Sequence, residues 1–253
     1  MESAPYLRVP LIDTISKASK ARRPVLLSFD EMLECYRPIS GSARASFYSW
    51  LYMHNETVNI YSHLIPAVLF LLGEWHIQQY LASRYSGVTT TDFITFSIFL
   101  LTAVTCLSLS VIYHTMLNHS KHVEHLCLRL DMLGVVIFIM GDLILGIYII
   151  FWCEPYPRNI YWSMIGFFGM LTSFLKMHPK LQGSKYRIFQ ASMFVATGLS
   201  GTRFPESRYP GKFDLCGSHS IFHMLVVCAA VVQLIGYLDA FDYAQANLAC
   251  VSL

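Results

Sequence analysis

The sequence contains few charged residues. Among 253 residues there are 18 Lys and Arg and 16 Asp and Glu, so 13% are charged and 55% are apolar. Soluble domains typically have about 25% charged residues. Twelve of these charges lie in the first 55 positions, so the rest of the chain is more depleted still. The composition excludes an ordinary soluble domain and indicates an integral membrane protein with a polar amino-terminal segment.

Basic stripes and paired cysteines are also absent. The formal net charge is only +2, and no run of Lys and Arg with interleaved aromatic residues occurs. Nucleic-acid binding is therefore excluded. The seven cysteines stand singly without a C-x-x-C motif, so the sequence predicts neither a disulfide framework nor a thiolate metal site.

Six apolar runs follow the amino-terminal segment. Five of them are long enough to cross a hydrocarbon core of about 30 Å as helices; they cover residues 57–73, 93–120, 132–153, 159–175 and 215–238. The sixth, 188–202, would reach only about 22 Å as a helix, and we expect it to be re-entrant or interfacial. We predict an all-α polytopic transmembrane helix bundle with about five full spans and a short re-entrant segment.

The distribution of Lys and Arg predicts the orientation. Seven of these residues lie in the first 44 positions, and basic segments near spans favour the cytoplasmic side. We therefore predict a cytoplasmic amino-terminal region at 1–44, a transmembrane domain at 45–240 and an extracytoplasmic tail at 241–253. Aromatic and polar residues alternate within 42–55, which favours a helix lying on the membrane surface. The expected location is the plasma membrane or an endomembrane.

Five polar residues near the ends of the spans are candidates for chemistry, because ionisable groups inside a membrane are costly unless they have a role. Ser110 and His114 are four residues apart, so they share one face of the second span. Asp131 opens the third span, and His219 and His223 open the last one with the same spacing. The predicted topology places all five at the cytoplasmic level of the membrane.

Three neutral imidazoles at one depth can bind Zn²⁺ and leave a fourth position for water. Zinc lowers the pKa of such a water to about 7. Asp131 could take its proton, and Ser110 could donate a hydrogen bond to a developing oxyanion. The alternative is that the His219 and His223 pair only ties two helices together by hydrogen bonds.

Six short motifs occur in order between residues 36 and 240. They are Tyr36-Arg37-Pro38, the segment 54–63, Ser110 with His114 and Thr115, Leu130-Asp131, the segment 204–214, and the segment 218–223. Together they resemble the progestin and adipoQ receptor family, also called the haemolysin III-related or adiponectin receptor-like family. The resemblance implies a seven-helix bundle whose zinc is held by His114, His219 and His223, with Asp131 near the zinc-bound water and Ser110 beside it.

The resemblance also implies a role in lipid signalling or metabolism. The expected ligand is a ceramide-like or sterol-like membrane lipid, and the expected reaction is zinc-dependent hydrolysis of a ceramide-type amide. Two alternatives stay open: a non-enzymatic receptor or a zinc and lipid homeostasis protein with structural zinc, and an inactive truncated form that forms homo- or hetero-oligomers with relatives. The truncation is suggested because residues 198–201, which resemble the middle of the family's fifth span, run directly into the 204–214 motif. About one and a half spans are missing.

Several other polar residues have weaker claims. They are Asp142, the histidines His119, His122 and His125, and the motif residues Glu56 and His63. Asp142 could face a substrate or water pocket, or it could bond to a neighbouring helix. We interpret the three histidines as belonging to a solvated loop rather than a metal cluster, and Glu56 and His63 as contacts within the bundle.

Overall fold

The computed structural model describes residues 36–177 and 218–247. Within these ranges the chain forms six α-helices: α1 (Ala43–Tyr48), α2 (Thr57–Arg84), α3 (Thr90–Met116), α4 (Lys121–Ile150), α5 (Pro155–Met177) and α6 (Ser218–Asn247). A single 3-10 turn, Ser49–Leu51, follows α1. The prediction of an all-helical chain is confirmed.

Four of the helices are long and apolar enough to cross a bilayer, namely α2, α3, α4 and α6. Many of their large apolar side chains point away from the protein, such as Leu69 and Trp75 on α2 and Val232 on α6. An apolar surface of this extent suits contact with lipid rather than water. The chain is thus a multi-pass integral membrane protein.

Helices α3 and α4 run antiparallel and approach closely at two glycines. A Cβ atom on Gly134 would lie 3.1 Å from the Cα atom of Cys106, and one on Gly141 would overlap Oγ1 of Thr102. Small residues let helix backbones come together in this way in membranes. The close contact fixes the relative height of the two helices.

Helix α5 returns along α4. The Nε1 atom of Trp162 donates to the carbonyl oxygen of Ile144 at 3.1 Å, and Gly169 packs against Met140. This register brings the end of α5 back to about the level of Asp131. The run 159–175 is therefore helical as predicted, and its 23-residue helix is about 34 Å long, although it is not among the four helices that are apolar enough throughout to qualify as spans.

Helix α6 runs parallel to α2. The hydroxyl of Ser220 donates to Oδ1 of Asn59 at 2.6 Å near one end, and Arg84 forms an ion pair with Asp242 at 3.3 Å near the other. Helix α6 consequently begins at the end of the bundle where α2 begins and α3 ends. Helix α5 finishes at the same end.

Three sequence-based predictions fall partly or wholly outside the described residues. The re-entrant segment 188–202 lies there, as do most of the amino-terminal region 1–44 and the last residues of the tail with Cys250. These expectations stay predictions.

The surface helix expected over 42–55 is shorter than predicted. Helix α1 has six residues, and the backbone becomes extended at Tyr52 after the 3-10 turn. Tyr48, Leu51 and Met53 are exposed, whereas Ser46 is fully buried. The segment around α1 thus has an exposed apolar face as expected. Its buried serines Ser46 and Ser49 form hydrogen bonds with Asn118 and Arg37 instead of with solvent.

At the end away from α1, buried polar contacts join α3 to α4. Thr89 and Asp92 cap the first turn of α3 by mutual hydrogen bonds, and the Tyr148 hydroxyl donates to Asp92 at 2.5 Å. Next to them, Cys153 is disulfide-bonded, and the described cysteines Cys106, Cys127 and Cys228 are all free. The spacing of the cysteines did not predict this bond.

Candidate metal centre

Three histidines meet at the end of the bundle where α3 finishes and α6 begins. His114 lies in the last turn of α3, and His219 and His223 lie in the first two turns of α6. One ring nitrogen from each lies within 4.8 Å of those of the other two. His114 and His223 are buried, while His219 is exposed. The predicted ligands are therefore neighbours, although His114 is more than 100 residues away from the other two in sequence.

The spacing of the ring nitrogens in this cluster fits a metal. Nε2 of His114 is buried without a hydrogen-bond partner, and the Nε2 atoms of His219 and His223 are 3.1 Å apart. Two nitrogens of a tetrahedral zinc site, each about 2.0–2.1 Å from the ion, would be separated by roughly 3.3 Å. The donor set thus suits zinc, and metal binding itself stays a prediction.

Asp131 and Ser110 lie beside the histidines, on the facing sides of α4 and α3. Both are buried. The Ser110 side chain and His114 are both close enough to the Asp131 carboxyl to interact with it electrostatically. The close approach of α4 to α3 at Gly134, one turn beyond Asp131, brings these groups together.

Glu56 contacts the cluster directly, which the sequence analysis missed. Its Oε2 atom lies 2.8 Å from Nδ1 of His114. The Asn55 amide donates to Oε1 at 2.7 Å, and the Asn59 amide donates to Oε2 at 2.8 Å. Burial alone would raise the pKa of Glu56, but the hydrogen bond and charge of His114, with the Asn59 bond, outweigh it and lower the pKa to about 2. The only sequence signal is an acidic residue directly before an apolar run.

Helix α2 also contacts the ligand pair on α6. His63 stacks on His223 with ring centroids 3.9 Å apart and an interplanar angle of 20°. Together with the Ser220 to Asn59 bond, this contact places the first turns of α6 against the first turns of α2. His63 is a contact within the bundle, as expected, and it lies against a predicted ligand.

The segment that precedes α2 covers this end of the bundle. Arg37 is buried and donates to the carbonyl oxygens of His114 at 2.6 Å and Thr115 at 3.1 Å. Burial lowers the pKa of Arg37 despite the opposing charge of Glu56. Burial and the nearby Arg37 likewise lower the pKa of His54 to about 4. The last turn of α3 is therefore held by groups outside the membrane spans.

Of the weaker candidates, Asp142 and the histidines His119, His122 and His125 lie apart from this cluster. The Tyr237 hydroxyl donates to Oδ1 of Asp142 at 3.0 Å, so this carboxyl bonds to a neighbouring helix. His122 and His125 are exposed on the first turns of α4 and not in a loop, while His119 precedes the helix. Within the described residues, the group formed by His114 and the α6 pair is the one that could hold a metal ion.

Comparison with known proteins shows the family to which the chain belongs. The family model described as haemolysin-III related matches residues 51–202, which is more than half of the chain. The chain belongs to the haemolysin III-related family.

Three relatives show how far the similarity extends. The chain is 31% identical to an adiponectin receptor protein of Drosophila melanogaster, over 82% of this chain and 55% of that protein. It is 30% identical to the ADIPOR-like receptor IZH2 of Saccharomyces cerevisiae, over 90% of this chain and 87% of that protein. It is also 30% identical to the progestin and adipoQ receptor-like protein 1 of Caenorhabditis elegans, over 85% of this chain and 58% of that protein.

The alignments are longer than the part of this chain that they include. The alignment with the yeast relative has 284 positions, yet it uses 90% of 253 residues, about 228. That relative therefore has residues without a counterpart here. The difference agrees with the shortening that the motif spacing indicates.

Proposed function

We propose that this haemolysin III-related protein binds one zinc ion through His114, His219 and His223 and hydrolyses a ceramide-type amide in the membrane. In this proposal the lipid amide enters the site from the bilayer. The proposal also places the amino terminus in the cytoplasm. The arrangement that supports the proposal is a three-histidine cluster with the buried Asp131 and Ser110 beside it. The three relatives whose names contain the word receptor support a role in signalling.

Each polar group would have a distinct task in amide hydrolysis. A zinc ion with an open position polarises a carbonyl group and makes water a nucleophile near neutral pH. The carboxyl of Asp131 accepts the proton of the attacking water and delivers it to the leaving amine. The Ser110 hydroxyl donates to the oxygen that becomes negative. The exposed side of His219 gives the substrate access.

The decisive experiment measures zinc content and sphingoid-base release on the same purified protein. We expect one zinc per chain and release of the base from ceramide in the wild type. Asp131→Asn should abolish release while zinc stays bound, because the carboxyl is not one of the three clustered ligands. Asp142→Asn is the matched control, since this carboxyl lies three turns along the same helix and bonds to Tyr237. Unchanged turnover in Asp131→Asn would remove the carboxyl from the reaction.

A structural zinc is the second candidate function. The ligands come from α3 and α6, so an ion would cross-link two helices that are distant in sequence. A receptor or homeostasis protein of this kind would contain zinc but release no sphingoid base, and Asp131→Asn would change neither property. The third candidate is a form that acts only by joining full-length relatives, as a homo- or hetero-oligomer. It would contain no zinc and release no sphingoid base, and it would co-purify with those relatives.

A further inference from the structure

Glu56 accepts hydrogen bonds from three side chains. They come from Asn55 on Oε1 and from Asn59 and His114 on Oε2. An ionised carboxylate can only accept hydrogen bonds, so Nδ1 of His114 must be the donor. The other nitrogen of the ring, Nε2, is then left with its lone pair. This is the buried atom without a hydrogen-bond partner, and one ring nitrogen of His114 lies within 4.8 Å of a ring nitrogen of each α6 histidine.

The amide of Asn59 extends the contact to α6. Its nitrogen donates to Glu56 at 2.8 Å, and its oxygen accepts from Ser220 at 2.6 Å. Ser220 directly follows His219 and precedes His223 by three residues. A continuous path of hydrogen bonds thus runs from His114 through Glu56 and Asn59 to the ligand-bearing turn of α6.

All members of this path are buried, and the path joins three helices. Side chains of α2 therefore contact both elements that carry the predicted ligands. The stacking of His63 on His223 adds a second contact one turn further along α2. Among the described residues, the direct contacts between α3 and α6 at this end of the bundle are those of the His114 ring with the rings of His219 and His223.

We propose that Glu56 is the positioning residue of the histidine cluster: it orients the His114 ring and, through Asn59 and Ser220, sets the first turn of α6 against α3. The inference rests on the proposed zinc site but not on the proposed hydrolysis. Carboxylate partners of metal-binding histidines typically change metal affinity by 10–100-fold. Glu56 extends this role to the second ligand-bearing helix.

The test measures zinc affinity of the purified full-length chain by competition with a chromophoric chelator. Glu56→Gln should weaken zinc binding by about 10–100-fold and shift the visible absorption of the Co²⁺-substituted protein. Ser220→Ala should weaken binding by a smaller factor. In the double variant the loss should be less than the product of the two single losses, because both substitutions interrupt the same path.

Asp92→Asn is the matched control for neutralising a buried carboxylate. Asp92 also accepts several hydrogen bonds, but it lies 22 residues before His114 on the same helix, which is about 33 Å away. The Asp92→Asn substitution should lower the thermal stability of the protein without changing its affinity for zinc. Tyr237→Phe, which removes a polar contact of α6 with α4, should behave in the same way.

Each outcome has one meaning. Zinc affinity within twofold of wild type in Glu56→Gln would overturn the positioning role, and so would an equal loss in Asp92→Asn, since the effect would then reflect general destabilisation. A wild type that binds zinc but releases no sphingoid base would overturn the hydrolysis and leave the positioning role intact. A wild type without zinc would overturn both.

Discussion

The guanidinium of Arg37 donates a hydrogen bond to the backbone carbonyl oxygen of His114 at 2.6 Å. The same side chain bonds to the carbonyl of Thr115 and to the hydroxyl of Ser49. Carbonyl groups in the last turn of a helix have no partner within the helix, and a cation at this end interacts favourably with the helix dipole. A residue that precedes the first span thus completes the helix that carries His114.

Arg37→Ala should lower the free energy of unfolding by about 1–3 kcal/mol, because it leaves buried carbonyl oxygens unsatisfied. Arg37→Lys should recover only part of the loss, since an ammonium group lacks the planar fork that reaches two carbonyls. Thermal unfolding in detergent measures both variants. Arg44→Ala removes an exposed arginine of the same segment and serves as the control. Equal midpoints for Arg37→Ala and Arg44→Ala would contradict the role assigned to Arg37.

Removing zinc should destabilise the wild type. A ligand that binds only the folded state at 100 times its Kd stabilises it by about 2.7 kcal/mol. We therefore expect a chelator to lower the unfolding midpoint of the wild type and to have no effect on His114→Ala/His223→Ala. The control is His122→Ala/His125→Ala, which removes two exposed histidines of α4. If the first double variant retains zinc, the assigned ligands are wrong.

Gly141→Ala should separate α3 from α4. The added Cβ would overlap Oγ1 of Thr102 and lie 2.9 Å from its Cβ, and β-branched side chains have little rotamer freedom in a helix. Such overpacking costs about 1–3 kcal/mol. Gly166→Ala is the control, because no atom lies within 4 Å of its added Cβ, and alanine favours a helix over glycine by about 1 kcal/mol. Equal destabilisation by the two substitutions would show that the contact is not tight.

Cysteine labelling in intact cells tests the topology. In a background without native cysteines, Ser86→Cys between α2 and α3 should react with a membrane-impermeant reagent, whereas His122→Cys should be protected. Ser184→Cys and Ser207→Cys should also be protected, because α5 ends and α6 begins at the same end of the bundle. The disulfide bond of Cys153 supports an extracytoplasmic location for the opposite end. Labelling at 207 alone would mean that residues between α5 and α6 cross the membrane.

The sequence predicts the helices better than the contacts between them. Long apolar runs define spans because backbone polar groups must be satisfied within the bilayer, and the i, i+4 spacing of His219 and His223 depends only on the helix repeat. The pairing of Glu56 with His114 joins residues 58 positions apart, and the docking of Arg37 joins residues 77 apart. Neither follows from periodicity, because both depend on how α2 and α3 pack. The length of α1 was also overestimated, since the serines of that segment bond to the bundle.

Two buried carboxylates, Glu56 and Asp131, lie beside the three histidines, and the buried guanidinium of Arg37 is close enough to Glu56 to interact with its charge. With both carboxylates ionised and the imidazoles neutral, Arg37 offsets one of the two negative charges. Uncompensated charge is costly where water is scarce. A cation held by the histidines, as proposed, would offset the negative charge that remains. The charge of the surrounding groups would therefore favour a cation at this position, and the imidazole nitrogens would favour a transition metal over a metal that prefers oxygen ligands.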